Sequence, residues 1–108
     1  MSTHNRVNGG TATSAAGAVT LNNRWGVITT ESLSTAAVTN YTLTITNSQI
    51  AATDMVFASV ANGTNSAGNP LVLRVTPAAG SVVIVIRNVD SAAALNGTLV
   101  ISYGSFPA

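Results

Sequence analysis

The chain has 108 residues, a formal net charge of +1 and no cysteine, and only 6% of its residues are charged. This length fits one domain, whereas a typical soluble domain carries about 25% charged residues. The composition excludes disulfides and thiolate metal sites, argues against a nucleic-acid partner, which needs a dense field of Lys and Arg, and leaves few titratable groups for catalysis.

The first seventeen residues differ in composition from the rest of the chain. They are mostly Gly, Thr, Ser, Asn and Ala, with Val7 as the single large aliphatic side chain after Met1. Such a segment buries too little apolar area to offset the entropy cost of ordering it. We therefore expect an extended N-terminal arm over residues 1–17, held by contacts outside the domain, and a β-sandwich domain over residues 18–108.

From residue 18 onward, apolar side chains recur at every second position, which predicts strands. The clearest alternation places Tyr41, Leu43 and Ile45 on one face and threonines on the other. A strand over residues 81–89 is apolar on both faces, which predicts either that both of its faces are covered or that it lies in the centre of a sheet. The predicted strands, in chain order, are 18–22, 24–29, 39–46, 55–61, 71–76, 81–89 and 97–103.

Several local features interrupt these strands. Gly26 is a candidate β-bulge, and Asn96-Gly97 is a hairpin signal. Residues 90–95 could form a single helical turn capped by Asp90 or Ser91. Residues 105–108 are predicted to form a tail. The spacing of strands and turns predicts an all-β fold: a single antiparallel β-sandwich or jelly roll of about seven or eight short strands.

The groups that could carry chemistry are sparse. The one histidine, His4, lies on the predicted arm, whose composition offers no obvious ordered neighbour to set its tautomer and pKa as a general base requires. The three carboxylates, Glu31, Asp54 and Asp90, are far apart in the sequence, and we expect them to pair with Arg24, Arg74 or Arg87. We therefore predict no enzyme activity, no catalytic residue, no metal site and no cofactor.

The nearly uncharged surface instead indicates an interaction protein, because the centres of protein interfaces are depleted of charge. A secreted β-domain with a neutral surface is the alternative. Trp25 could be an interface anchor, a sugar-stacking platform together with Tyr41 or Tyr103, or a core residue. The arginines at mid-strand, Arg74 and Arg87, could protect edge strands from pairing or contact a partner. The candidate interface residues are Arg6, Val7, Arg24, Trp25, Arg74, Arg87 and Phe106.

Signals for targeting are weak. The sequence MSTHNRVNGG has no apolar core of a signal peptide, and the longest apolar run, residues 82–86, is far shorter than the roughly 20 residues of a membrane helix. We expect synthesis in the cytoplasm and no membrane partner.

The chain resembles the small head-decoration, or capsid cement, proteins of tailed bacteriophages. The resemblance covers about residues 18–103 and is carried by several short sequence segments rather than by one short motif. These segments are AVTLN (18–22), GVITTESL (26–33), YTLTITN (41–47), VFASV (56–60), PAAGSVV (77–83) and AAALNGT (92–98).

The resemblance implies a structural virion protein on the outer capsid surface, which binds the expanded lattice of the major capsid protein and stabilises it against the pressure of packaged DNA. It also implies self-association. Trimers at three-fold junctions and dimers at two-fold junctions both stay open, with a trimer slightly favoured. A tail- or fibre-associated β-domain that binds a receptor or carbohydrate is the alternative.

Overall fold

The computed structural model describes residues 10–107, which fold into eight strands in two four-stranded sheets. The first sheet, called sheet I, has the strand order β1-β3-β8-β5, and the second, called sheet II, has the order β2-β4-β7-β6. The strands are β1 (Thr11–Thr13), β2 (Ala18–Thr20), β3 (Trp25–Thr29), β4 (Asn40–Thr46), β5 (Met55–Asn62), β6 (Pro70–Ala78), β7 (Ser81–Asn88) and β8 (Leu99–Phe106). The all-β sandwich prediction is confirmed at this level.

The sheets are mixed, so the prediction of a purely antiparallel sandwich is wrong. Strand β1 pairs parallel with β3, and β2 pairs parallel with β4, while the other pairings are antiparallel. The reason is the path of the chain. It reverses direction between β1 and β2 and again between β2 and β3, and because β2 joins the other sheet, β1 and β3 become parallel neighbours.

Part of the segment that composition assigned to the arm lies in the sandwich. The ladder of β1 runs from Thr11 beside Val27 to Thr13 beside Thr29. A tight turn follows, in which Ala15 and Ala18 exchange two backbone hydrogen bonds of 3.0 Å. The sheet structure therefore begins before residue 18, and the part of the predicted arm over residues 1–9 lies outside the described residues.

The core lies between the two sheets, and in β4 it takes in the face that the alternation predicted. Leu43 and Ile45 of β4 and Ile84 of β7 are fully buried, and each fully buried aliphatic side chain of this size contributes about 1.5–3 kcal/mol. The outward residues of β7 are half-buried, since this strand lies between β4 and β6. Its predicted place in the centre of a sheet is confirmed.

Four local predictions are wrong. Gly26 is not a bulge, because β3 and β8 pair in unbroken register. The bulge lies in β6, between Val72 and Arg74. Residues 90–95 form no helical turn, although Asp90 Oδ1 accepts backbone hydrogen bonds from two following residues. Asn96-Gly97 is not a hairpin, since it lies on the crossover from β7 in sheet II to β8 in sheet I. The predicted tail is part of β8 up to Phe106.

Buried asparagines fasten the loops at the ends of the sheets. Asn88 is fully buried; its Oδ1 accepts the N–H of Asn69 at 3.0 Å, and its Nδ2 donates to the carbonyl of Ala93 at 2.9 Å. Asn47, also fully buried, donates to the carbonyl of Asn23 at 2.6 Å. These bonds satisfy backbone groups that would otherwise be buried at a cost, so both side chains are structural.

Candidate functional site

Large apolar side chains are exposed together on the outer face of sheet I. Trp25 of β3 and Phe57 of β5 both lie opposite Gly104 of β8, one on each side of it. Met55 lies opposite Phe106 in the adjacent row. Cross-strand partners share a face of the sheet, so these residues form one surface. We call Trp25, Met55, Phe57 and Phe106 the aromatic patch.

The exposure of the aromatic patch is large for its residue types. The exposed fraction is 44% for Trp25 and 56% for Phe57, and Met55 and Phe106 are each more than half exposed. The rings of Phe57 and Phe106 meet edge to face, with centroids 5.8 Å apart. Contiguous exposed apolar residues of this kind mark interaction sites more often than isolated ones do.

Gly104 shapes the centre of the patch. A Cβ atom built at this position would meet only the Cβ of Trp25, at 3.8 Å. The absent side chain therefore leaves open space above Gly104, between the strands that carry Trp25 and Phe57. Such a space can accept a small apolar group of a partner.

The electrostatic setting of the patch is neutral. No strand residue on the outer face of sheet I within the described chain is charged: β1, β3, β5 and β8 present Thr, Val, Ser, Ala and the patch itself there. Desolvating such a face costs little compared with burying unpaired charge. The face suits a partner that covers it completely.

The candidate interface residues do not lie together. Trp25 and Phe106 belong to the aromatic patch, whereas Arg74 and Arg87 lie on the outer face of sheet II, opposite Val85 and Leu71 respectively. Arg74 is on the edge strand β6, which fits the proposed protection of an edge. Arg87 is on the central strand β7, so that role is wrong for it. The candidates Arg6 and Val7, like His4, are outside the described residues.

The environment of the sole tryptophan excludes one of its three predicted roles, that of a core residue. Its 44% exposure shows that Trp25 is not a core residue. Its neighbour Arg24 is half-buried, and Nη1 of Arg24 is buried without a hydrogen-bond partner among residues 10–107. The backbone carbonyl of Arg24 accepts two bonds from Ser105. Trp25 is therefore held on an ordered strand with its indole outside the core.

Neither tyrosine offers a stacking face beside Trp25. The Tyr103 ring is buried, and its hydroxyl donates to the carbonyl of Asn23 at 2.8 Å and accepts from Asn47 Nδ2 at 3.1 Å. Burial raises the pKa of Tyr103 to about 12. Tyr41 lies opposite Ile86 on the inner face of sheet II. A sugar platform built from Trp25 with either tyrosine is therefore wrong.

The most concentrated polar cluster joins Ser14, Glu31 and Tyr41. The Glu31 carboxylate accepts hydrogen bonds from the Ser14 hydroxyl, the Tyr41 hydroxyl (3.0 Å) and the Gly17 N–H (2.9 Å). Burial by itself would raise the pKa of Glu31, but hydrogen bonds from Ser14, its own backbone, Tyr41 and Gly17 hold it below the ordinary value of 4.5.

The chemistry of this cluster is that of a structural contact. A carboxylate with a lowered pKa is a weak base, so it is a poor activator of the Ser14 hydroxyl. Burial, followed by the charge of Glu31, raises the pKa of Tyr41 to about 12, and the phenol stays protonated at neutral pH. The three side chains fasten the turn between β1 and β2 to β4.

The carboxylates do not pair with arginines as predicted. Glu31 binds the groups just described, Asp54 accepts the N–H of Ala51 at 3.0 Å, and Asp90 accepts backbone N–H groups after β7. Arg87 Nη1 donates to Asn40 Oδ1 at 3.1 Å. These bonds are local, and within residues 10–107 none of them comes from a charged side chain.

Among residues 10–107, no group of three or more His, Asp or Glu side chains lies together in a way that could hold a metal ion. No helix in this part of the chain is long and apolar enough to cross a membrane.

Sequence reasoning missed Met55 and Phe57 as site residues. The alternation along β5 does separate them from Val56, Ala58 and Val60, but an alternating pattern leaves open which face meets the core. The available signal was size: the smaller side chains of β5 face inward, where the β8 residues Ile101 and Tyr103 already fill the core.

Comparisons with known proteins add no relative. No family model, no curated protein sequence and no solved structure matches the chain.

Proposed function

We propose that this chain is a structural virion protein: a capsid decoration protein that binds the outside of an expanded major capsid lattice. The observation that carries the proposal is the aromatic patch on a face of sheet I without charged strand residues. The likeness of the sequence to bacteriophage decoration proteins supplies the partner, the major capsid protein. In this proposal the molecule works by binding alone, without a catalytic residue or cofactor.

The aromatic patch would serve as the anchor of that contact. Trp is among the residue types that dominate binding energy at interfaces, above all where a neutral rim excludes water. Trp25 and Phe57 flank Gly104, so a capsid residue with a small apolar side chain fits between them. The outer face of sheet II, with its threonines and the two arginines, would then face away from the shell.

The stabilising effect would follow from mass action. A protein that binds the expanded lattice and not its unexpanded precursor shifts the equilibrium toward the expanded form. Many copies over one shell add their contributions, so each contact needs only moderate affinity. Pressure from packaged DNA then has to break these contacts before the lattice can open.

The proposal extends to the finer topology of the fold. We propose that the sandwich is of the jelly-roll type, because every connection except the β6–β7 hairpin passes from one sheet to the other. This alternation places loops at both ends of the sandwich, and the outer face of sheet I stays free for contact with the shell.

The test is a binding titration of the purified protein on expanded heads that lack it, with unexpanded heads as a comparison. We expect saturable binding to expanded heads only. Trp25→Ala should weaken the affinity by about thirtyfold or more, as truncation of a hot-spot residue does. The matched control is Thr44→Ala, on the outer face of sheet II, which should bind as the unchanged protein does.

The same heads provide a readout of function. Bound protein should raise the temperature at which packaged DNA is released, and the Trp25→Ala variant should lose most of that gain. If decorated and bare heads release DNA at the same temperature, or if both variants bind equally well, the proposal is wrong.

A receptor- or carbohydrate-binding domain on a phage tail or fibre is the second candidate. The observation in its favour is the exposed indole of Trp25 beside the open space at Gly104, since sugar rings stack on exposed indoles. A glycan array discriminates the two: binding to a defined glycan that is lost in Trp25→Ala, without binding to heads, would favour this candidate.

A further inference from the structure

The four edge strands of the sandwich differ in how they are protected. The edges β1 and β2 are three residues long and joined by a tight turn that closes one side of the sandwich. The edge β6 contains Pro70, Arg74, Pro77 and a bulge. Short strands, prolines, charges and bulges are the devices that prevent an edge from pairing with another chain.

The remaining edge, β5, has none of these devices. It spans Met55–Asn62, contains no proline and no charged residue, and pairs with β8 in unbroken register along its whole length. A long, regular and uncharged edge strand offers a template for a further strand. Among the four edges in the described chain, this is the one left open.

The hydrogen-bonding pattern identifies the free groups of this edge. Ser105 donates its N–H to the carbonyl of Arg24 at 2.8 Å, so the odd-numbered residues of β8 face β3. Antiparallel strands alternate strictly in this respect, so the even-numbered residues of β8 face β5. Gly63, just beyond β5, donates its N–H to the carbonyl of Thr98 at 2.9 Å. This bond agrees with the assignment, because Thr98 is even-numbered and bonds toward β5.

The register of β5 and β8 then assigns the groups on β5 itself. Its odd-numbered residues bond to β8, so Val56, Ala58 and Val60 direct their N–H and C=O groups away from the sheet. No other element among residues 10–107 hydrogen-bonds to these three residues through the backbone. Three donors and three acceptors on the side of β5 that faces away from β8 therefore have no backbone partner among residues 10–107.

We propose that the β5 edge pairs with the β5 edge of a second copy of this chain, antiparallel and about a two-fold axis at Ala58. Ala58 would then lie opposite its own copy, Val56 opposite Val60, and Phe57 opposite Ser59. This pairing makes about six backbone hydrogen bonds and joins the two copies of sheet I into one continuous sheet.

The chemistry of β5 favours a copy of itself over an unrelated strand. An isologous interface places the same residues on both sides, so a charged edge strand would repel itself, whereas β5 carries no charge. A two-fold axis perpendicular to the sheet keeps outer faces together. Phe57 of each copy would therefore lie on the same outer surface, and the two aromatic patches would adjoin across the new strand pair.

The pairing specifies a dimer, the two-fold alternative to the trimer that the sequence slightly favoured. It does not depend on the proposed function, since it follows from the edge strands alone. It would nevertheless present two aromatic patches on one face, and a bivalent face binds a repetitive surface more tightly than a single patch.

The test is the mass of the full chain in solution, measured by sedimentation velocity over a dilution series. We expect a species of twice 10.8 kDa that dissociates on dilution. Ser59→Lys places an ammonium group on the β5 edge, and we expect it to raise the dimer dissociation constant at least about tenfold. The matched control is Ser102→Lys, which adds the same group opposite Ser59 on β8, away from the edge, and should leave the dimer intact.

Amide hydrogen exchange locates the contact. In the dimer the amides of Val56, Ala58 and Val60 should be protected, and they should exchange rapidly in Ser59→Lys while the β8 amides stay protected. Ala58→Pro provides a second test. It removes an N–H group that the proposed pairing uses, and it leaves the hydrogen bonds between β5 and β8 in place.

The proposal is overturned if the unchanged protein is a monomer at all concentrations. It is also overturned if Ser59→Lys and Ser102→Lys affect the dimer equally, which would indicate association through the aromatic patch, or if the three β5 amides exchange rapidly in the dimer. None of these outcomes bears on binding to capsid heads, so failure here is distinguishable from failure of the proposed function.

Discussion

Val38 has a backbone conformation that its side chain disfavours. Its φ is 60°, in the left-handed region that β-branched residues rarely adopt. It is the third residue of a turn closed by a hydrogen bond from Thr39 N–H to the carbonyl of Ala36, and its side chain is 53% exposed. The strain is therefore not compensated by deep burial of the side chain.

We predict that Val38→Asn stabilises the fold by about 1 kcal/mol, because asparagine tolerates the left-handed region that costs other residues roughly 1–2 kcal/mol. The measurement is the free energy of unfolding from denaturant titration. The reciprocal control is Gly80→Ala. Gly80 has φ 82° and open space around it, so alanine there should cost about 1 kcal/mol through backbone strain alone. A loss of stability in Val38→Asn would contradict the prediction.

Among the elements, the turn between β1 and β2 depends most on one side chain. Gly17 has φ 76°, and a Cβ there would lie 2.6 Å from the carbonyl oxygen of Thr42. Its N–H donates to Glu31, and its carbonyl accepts the N–H of Thr44 at 2.8 Å. Glu31 therefore links the turn to β4 and helps to hold both short edge strands in place.

We predict that Glu31→Gln lowers the free energy of unfolding at pH 7 by about 1–2 kcal/mol, since the amide loses charge and presents donors to donors. The lowered pKa of Glu31 means that its contribution is complete above pH 4.5 and is lost as the pH falls through the folded-state pKa. Denaturant titrations of both proteins from neutral to acid pH check this. The difference between them should shrink in acid, and a constant difference would contradict the role of the ionised carboxylate.

For the whole molecule, the two tyrosines set the stability at alkaline pH. Both have a pKa of about 12 in the folded state against an ordinary 10, chiefly because of burial. A raised pKa contributes stability that is complete below pH 10 and is lost as the pH rises toward 12. Lysine and cysteine side chains also titrate at alkaline pH, but the chain contains neither.

We therefore predict that the free energy of unfolding falls between pH 10 and about 12, by about 2 kcal/mol per buried tyrosine. Denaturant titrations at several pH values, with tyrosinate absorbance to follow ionisation, measure this. Tyr103→Phe should be less stable at neutral pH, because Asn23 and Asn47 lose a partner, yet should show a smaller alkaline loss. An equal alkaline loss in that variant would exclude Tyr103 as a cause.

Much of the fold was predictable from local sequence because its signals are local. Alternation at every second residue indicated β4 with its correct inner face, the apolar run of β7 indicated a central strand, and turn residues separated the strands. Pairings that join distant segments were not predictable. The parallel ladders of β1 with β3 and of β2 with β4 depend on contacts across the sandwich. The three residues of β1 carry no sequence pattern that predicts a strand.

The candidate site was half predictable for the same reason. Trp25 and Phe106 stand out by residue type, but their union with Phe57 depends on the register of β8, which places Gly104 between two strands that are far apart in sequence. Asn47 and Asn88 looked like ordinary strand ends, and their burial follows only from the loops packed over them.

The sequence by itself determined the all-β class, the position of most strands and the scarcity of charge, because periodicity, turn chemistry and composition are properties of neighbouring residues. Only the tertiary structure decided which face of each strand is exposed, which strands lie at the edges and which edge stays open. Those properties arise from packing one sheet against another, since an alternating strand can bury either face until a second sheet selects one.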